Sequence, residues 1–470
     1  MIAWIWLACS EPEPSPVDTD PPVEVDDDTD GLEPIVADTG PRDTGDGVND
    51  PLSRPTEPTL SLDDFVGAAE CSTCHPDHYA QWRGSLHAHA MVDPVFQALV
   101  AVRQADFDGE EDAFCTQCHS AIGVRSGDIA PGFSFDALDP ITMEGVTCEA
   151  CHTISAVDRT WNAGHTLDAT GPMRGCLDEP EESSFHETEF TEVFREPELC
   201  GSCHDVIELS GLNLERPYEE WLSSPASETG QTCQDCHMPP WSGQAALGGP
   251  QREELHDHRF VGAEVPLGAA EILDAGELAA LEEDVAELME GAASMYLEVP
   301  GEAVPGQQLD VLVTVQNDIE GHHLPTGSTF VRQLWVELTV TDAAGTVLYK
   351  TGDLDDNGDL RDHWSELDPY GDDDLLVFHS SLVDERGDPT IFTWHASEHR
   401  TNAIPALYQR TATLFVPVPA DAVGPLTLET RLRFRSHPPF LLRLVELDEL
   451  IDEVVIRDLA DDVLQVELAP

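Results

Sequence analysis

Ten of the twelve cysteines in this 470-residue chain fall into five Cys-x-x-Cys pairs, and a histidine follows each pair at once. The runs are Cys71–Cys74–His75, Cys115–Cys118–His119, Cys148–Cys151–His152, Cys200–Cys203–His204 and Cys233–Cys236–His237. Two thiols at this spacing can bond to the two vinyl groups of a haem, and the neighbouring imidazole then becomes the proximal ligand of the iron. The histidine must follow directly, because the thioethers fix which side of the ring it can reach. Composition alone would place on the order of 0.01 such pentapeptides in the chain, so five of them are not accidental. A zinc ribbon needs two pairs per metal and has no use for a histidine at the next position, and five pairs would leave one over. Thioredoxin-like dithiols fail for the same reason. The expected cofactors are five covalently attached haems c with their iron.

All five motifs lie within 167 residues, from Cys71 to His237. So little protein per haem would force the rings into near contact, as an electron wire requires. Each iron then takes a sixth ligand or keeps an open face. Methionine would raise the potential, histidine would lower it, and an open site would admit substrate. Seven histidines of this region stand outside the motifs: His78, His87, His89, His165, His186, His256 and His258. They suffice in number for five irons. Met238 reads as a packing residue. Cys176 has no partner in the sequence pattern and reads as a buried free thiol.

The elements that must hold these residues change character along the chain. The motif region, 63–265, reads as a haem-packed domain of short helices and loops. Asp or Pro start signals open helical pieces at Pro76–Arg83, Asp93–Gln104 and Pro217–Ser223, and nothing in the region alternates like a sheet. Residues 266–292 hold a connecting amphipathic helix with Leu278, Leu281, Val285 and Leu288 on one face. Over 293–470 the texture turns to strands, at Leu309–Gln316, Gln333–Thr341, Ala412–Val418 and Leu426–Phe434. Turn signals such as Asp342-Ala343-Ala344-Gly345 and Asn357-Gly358 separate them. Leu441–Val466 adds a short helix and an apolar strand. The fold class expected is therefore α+β and multidomain, a mostly helical haem domain followed by a β-sandwich-like one. Within the latter, Asp353 to Asp359 begins like a calcium loop, but Trp364 stands where the acidic twelfth residue should be. An acidic turn is the better reading.

The formal net charge is −70, from 92 acidic and 22 basic residues, and Lys350 is the one lysine. Nucleic acid is thereby excluded as a partner, because binding it takes clustered cations to displace counterions. The acidity suits solubility in salty surroundings or steering of cationic partners. Residues 1–9 are apolar and end Leu-Ala-Cys, which reads as the remnant of a lipoprotein signal with Cys9 carrying the lipid. The run is short for a signal and lacks a positive start, as a start codon placed too far downstream would produce. Residues 10–62 are acidic and proline-rich, with almost no periodic apolar content, and are expected to form a disordered tether. Location outside the cytoplasm follows, anchored at an outer membrane and facing the periplasm or the exterior.

Several segments resemble multihaem cytochromes related to the nitrifier tetrahaem cytochrome c. Phe65-Val66-Gly67 through His75, followed by Trp82, Ser85 and His87-Ala88, is similar to the first haem segment of that group. Gly145-Val146-Thr147-Cys148-Glu149 resembles another segment of the group, as does the run from Leu199 through Tyr218, Trp221 and Ser224 to Pro239. The resemblance implies distal ligation by His87, by His258 in Asp257-His258-Arg259-Phe260, and by His186. His165 stands beside them as a candidate from the count of available histidines. The strand-rich region resembles a companion domain of the group, marked by Asn317, Gly321-His322, Pro325-Thr326-Gly327, Arg332 and Trp335. There His322 is expected at a haem edge or iron.

The leading expectation is an electron carrier that passes charge along its haems to another redox protein or an external acceptor. The alternative is an enzyme acting on a small nitrogen or sulfur oxyanion at one open haem. A homo-oligomeric conducting filament is the third. Against catalysis, no motif replaces its proximal histidine by lysine, as one nitrite-reducing family does. Limited proteolysis tests the tether: rapid cleavage confined to residues 10–62 is expected, and resistance there would refute it.

Overall fold

The structure is a computed structural model. It describes residues 58–181 and 183–470, together with a two-residue strand at Ile35–Val36 that pairs with Thr401 and Arg400. The apolar start, Cys9 and nearly all of the expected tether lie outside the described residues.

In the motif region short helices form where start signals coincide with apolar residues that can pack. Pro76–Trp82 opens on a proline at its first turn. Pro94–Phe107 is capped by Asp93, whose carboxylate accepts from the Phe96 N–H at 2.6 Å, and it ends on Asp108 in the left-handed region. Pro217–Leu222 repeats the proline start. Each motif occupies or adjoins a helix of only one or two turns: Ala68–Cys71, Ala113–His119, Cys148–His152, Glu198–Gly201 and Cys233–His237.

Against expectation the region also contains four two-stranded ribbons. They are Ile154–Val157 with His165–Leu167, Met173–Gly175 with Thr188–Phe190, Val206–Ile207 with Asn213–Glu215, and Pro240–Gln244 with Gln251–His256. Strands of two to six residues are too short to display an alternating pattern, so the sequence hides them. The apolar cluster of this half is small, built on Phe65, Ala121, Ile122, Ala150, Ile154 and Leu167.

The strand-rich half carries the large core. Gln308–Asn317 is the middle strand of a three-stranded antiparallel sheet, between Ala293–Glu298 and Gln409–Pro417. A larger sheet runs Glu302–Ala303, Arg457–Leu468, Leu426–Arg435, Gln333–Thr341 and Val347–Thr351. Alternate residues of both sheets enter one cluster: Leu309, Val311, Val313 and Val315 from the first, Leu334, Val336, Leu338 and Val340 from the second. Trp335, on the opposite face of its strand, is fully buried and donates to the Gly352 carbonyl at 3.0 Å. In the acidic turn Asp355 accepts from the Asn357 and Asp359 N–H groups, while buried Asp359 pairs with Arg443.

The connecting helix is Ala275–Met289, capped by Asp274 in a capping box with Glu277. It buries Leu281, Val285 and Met289. Asp284 pairs with Arg259 from the motif region and Glu282 with Arg457 from the last strand, so the helix is tied to both halves. The described residues from Ile35 onward form one compact unit. Among them no helix is long and apolar enough to cross a membrane.

Leu338 is fully buried at the centre of the large sheet. Replacing it with alanine should lower the free energy of unfolding by about 2–5 kcal/mol. Denaturant titration followed by far-ultraviolet circular dichroism checks this, and the visible spectrum of the native state should stay unchanged.

Candidate functional site

Four of the five motif imidazoles are oriented by backbone carbonyls that arrive from elsewhere in the chain. His75 Nδ1 lies 2.6 Å from the Ala245 carbonyl, His119 Nδ1 2.8 Å from Ala90, His152 Nδ1 2.6 Å from Arg174 and His237 Nδ1 2.8 Å from Val261. A carbonyl only accepts, so each Nδ1 carries the proton and Nε2 keeps the lone pair that a metal needs. Burial holds His119, His152 and His237 below their ordinary pKa, which keeps the rings neutral.

Four of the five motif histidines face a second histidine at nearly one separation. Ring centroids are 6.2 Å apart for His75 and His186, 6.2 Å for His152 and His258, 6.0 Å for His204 and His87, and 6.3 Å for His237 and His322. These rings are too far apart to touch face to face. Two imidazoles bound through Nε2 to opposite sides of one iron stand roughly 6 Å apart, with about 2 Å per metal–nitrogen bond. The residues present thus fit haem held by two histidines. His78 is also 6.3 Å from His75, but it lies three residues on, in the helix that His75 caps. It packs edge-on to His258 at 4.8 Å instead.

The ribbons missed in the sequence deliver these partners. The Met173–Gly175 strand supplies the Arg174 carbonyl to His152, and the strand paired with it begins two residues after His186. The Pro240–His256 hairpin supplies Ala245 to His75, and the chain leaving it reaches His258, whose Nδ1 lies 2.9 Å from the His256 carbonyl. His87 sits on the short helix Leu86–His89, and its carbonyl accepts from the Val146 N–H at 3.0 Å. Gly145, with φ +71°, passes so close that a Cβ there would come within 2.8 Å of that carbonyl. Burial pushes His87 and His258 each down to about 3. His322 arrives from the strand-rich half. Asn317 fixes its loop by donating to the His322 and Ile404 carbonyls, and Glu220 accepts from the His323 N–H at 3.1 Å.

His165 is placed differently from the other candidates. Its Nδ1 is 3.0 Å from Ser202 Oγ and 3.8 Å from Cys203 Sγ, and it faces no motif histidine. The His119 ring stacks on Phe96, at 3.8 Å and 6° between planes. Among the described residues no histidine ring stands across from His119 at the separation of the other four.

Thiols of different motifs approach one another. Cys71 meets Cys148, Cys118 meets Cys203, and Cys200 meets Cys233. Burial raises Cys151 to about 12. Groups attached at these sulfurs would lie side by side. Cys176 is a free thiol as expected, half-buried and not fully buried, and it hydrogen-bonds His256, which lifts that imidazole to about 9. The hairpin return that brings them together leaves no mark in local sequence.

Residues 70–153, which include the first three motifs, match the family model described as cytochrome c554 and c-prime. No curated protein matches the chain. A solved penta-heme cytochrome c552 from Thermochromatium tepidum is similar in fold, at 21% identity and a TM-score of 0.60, over 86% of this chain and 99% of that one. A Pseudomonas fluorescens alkylpurine DNA glycosylase bound to DNA aligns at 9% identity over 43% of this chain and 42% of that one, with a TM-score of only 0.15. Residues 70–153 are thus similar to the cytochrome c554 and c-prime family, the chain shares the fold of a penta-heme cytochrome, and the motif histidines with their partners fit haem c.

Proposed function

We propose that the chain carries five haems c and passes electrons along them to a redox partner or an external acceptor. The observation that carries this reading is the set of four histidine pairs at 6.0–6.3 Å, joined by motif thiols in contact. The haem iron supplies a one-electron couple. The protein supplies short paths between neighbouring groups, closed coordination that keeps small molecules off, and neutral imidazoles whose donor strength favours Fe(III). The surrounding carboxylates act in the same direction, since negative charge stabilises the more positive iron. The strand-rich half, read as a β-sandwich, closes the site of His237 by presenting His322. Export, a lipid on Cys9 and a tether that holds the haem domain off a membrane complete the proposal. Self-association is left to the acidic surface and its partners.

A second reading is favoured by His119. With Phe96 on its ring and no histidine across from it among the described residues, an iron held by His119 would keep one open face. The protein would then bind a small nitrogen or sulfur oxyanion there, fed with electrons by the four closed haems.

Low-temperature EPR of the oxidised protein tests both, with haem content fixed by intact-mass measurement. Five haem increments are expected. Three low-spin signals should be rhombic, because the planes of the 75/186, 152/258 and 237/322 pairs lie only 26°, 19° and 17° apart. The 87/204 pair, at 53°, should give a more anisotropic low-spin signal. A fifth, high-spin signal should shift on adding nitrite or hydroxylamine. Low-spin signals alone, unchanged by either ligand, would leave a pure carrier and remove the second reading.

A further inference from the structure

In a chain with 92 acidic residues and 22 basic ones, an arginine that meets no carboxylate calls for an explanation. Most of the described arginines are taken up in ion pairs, as Arg103 is by Glu208 and Glu111, Arg174 by Asp168 and Glu189, and Arg259 by Asp257 and Asp284. Arg125 lies on the helix Ala121–Ser126, just after the second motif, and among the described residues no carboxylate pairs with it. Backbone carbonyls take it up instead. Its Nη2 donates to the His165 carbonyl at 2.6 Å and to that of Ala163 at 3.0 Å. Its Nη1 is buried and has no hydrogen-bond partner. Burial holds the pKa below its ordinary value, but a guanidinium stays protonated throughout the physiological range. The result is a positive charge largely kept from water and balanced by no ion pair.

The carbonyls that hold it belong to the turn between the strands Ile154–Val157 and His165–Leu167. Asn162 and Ala163 stand there in the left-handed region, at φ +48° and +53°, which residues other than glycine rarely adopt. Contacts with the fourth motif pin the turn in this shape. The Asn162 N–H donates to the Asp205 carbonyl and the Gly164 N–H to the Ser202 carbonyl, each at 3.1 Å. The Ala163 N–H donates to Cys118 Sγ, and His165 Nδ1 lies 3.8 Å from Cys203 Sγ. Those two sulfurs meet each other. Arg125 therefore bonds the carbonyls of the very two residues that touch the attachment sulfurs of the second and fourth motifs, and one residue separates its charge from each. Arg159 of the same turn also donates only to carbonyls, those of Trp161 and Asn162, and adds charge of the same sign. Asp158 is exposed and accepts from Thr166 at 2.8 Å, so water screens its opposing charge.

We propose that Arg125 sets the haems of the second and fourth motifs apart, raising their potentials above those of the other three so that electrons entering the protein collect on this pair. The proposal rests on the reading that five haems occupy the motifs. A fixed cation beside a haem favours Fe(II), the less positive state, and acts most strongly where water cannot screen it. The surface carboxylates act in the opposite sense, but they act on all the haems and through solvent. Electrons arriving at any motif then run downhill toward the His119 and His204 haems, whether or not the His119 iron has an open face.

The test is a potentiometric titration of the full-length, haem-loaded protein, read by EPR at the low-spin signal of the 87/204 pair, which its 53° between ring planes distinguishes. In the wild type this signal should disappear at a higher potential than those of the 75/186, 152/258 and 237/322 pairs. Arg125→Gln keeps a donor for one carbonyl but no charge. It should lower the reduced-to-oxidised ratio of the 87/204 haem at a fixed potential about tenfold, or ~59 mV for one electron. Arg125→Lys should stay close to the wild type, and the other three low-spin signals should not move in either variant. Arg386→Gln removes an equal charge from an exposed site and should move none of them. An unchanged 87/204 potential in Arg125→Gln would overturn the proposal. Equal shifts in Arg125→Gln and Arg125→Lys would also overturn it, leaving Arg125 only a holder of the turn, as would a common shift of all four signals. If Arg125→Gln loses its haems, the wild-type order decides, and an 87/204 signal that is not the first of the four to disappear overturns the proposal. Fewer than five haem increments in the intact mass of the wild type would instead remove the five-haem reading beneath it.

Discussion

The hydrogen bond from an imidazole Nδ1 to a backbone carbonyl is the interaction on which the motif region depends. It selects one tautomer, aims the ring and leaves Nε2 basic in surroundings too buried for a charged imidazole. Four motif histidines have it, and each receives its carbonyl from a different segment: Ala245, Ala90, Arg174 and Val261. Much of the local fold follows from the need to bring those carbonyls into place. The two-stranded ribbons bury little apolar surface, but they are stiff enough to present a carbonyl to one histidine and to carry the chain on toward another.

That economy explains the contrast between the halves. The motif region has few buried aliphatic residues of its own, and its largest local cluster has six buried members. A chain segment with so little apolar area is poorly placed to offset the entropy of ordering, and large flat cofactors bound at the motifs would supply the missing core. The strand-rich half has a conventional interior, built from alternate residues of two sheets. Its stability is lent across the boundary by the Ala275–Met289 helix and by Glu220, which grips the His323 loop.

The charge of the molecule is handled locally. Arg103, 2% exposed, is held between Glu208 and Glu111 at 3.0 and 2.7 Å, and Thr393 donates to the same Glu208 at 3.0 Å. Such a buried pair costs about as much in desolvation as it returns, but removing one partner would strand a charge. It therefore fixes how the Pro94–Phe107 helix meets the strand-rich half. The exposed carboxylates have few cations to meet, and their collective effect is a long-range negative potential.

The Cys-x-x-Cys-His runs were legible in sequence because they are local. Two cysteines and a histidine within five residues share one helical turn, and no distant contact changes what they can bond. The helices at Pro76, Pro94 and Pro217 were legible for the same reason, since a proline start or an Asp cap acts within one turn. The main strands of the second half showed themselves through alternation over nine or ten residues, and Gln333–Thr341 falls where the pattern put it. Resemblance added His87, His186, His258 and His322, but it left open which of them faces which motif. Only tertiary structure decided the pairings, because partners such as His75 and His186 are joined by no local rule. It also set His165 apart, gave Cys176 a partner in His256, and left His119 facing no second ring.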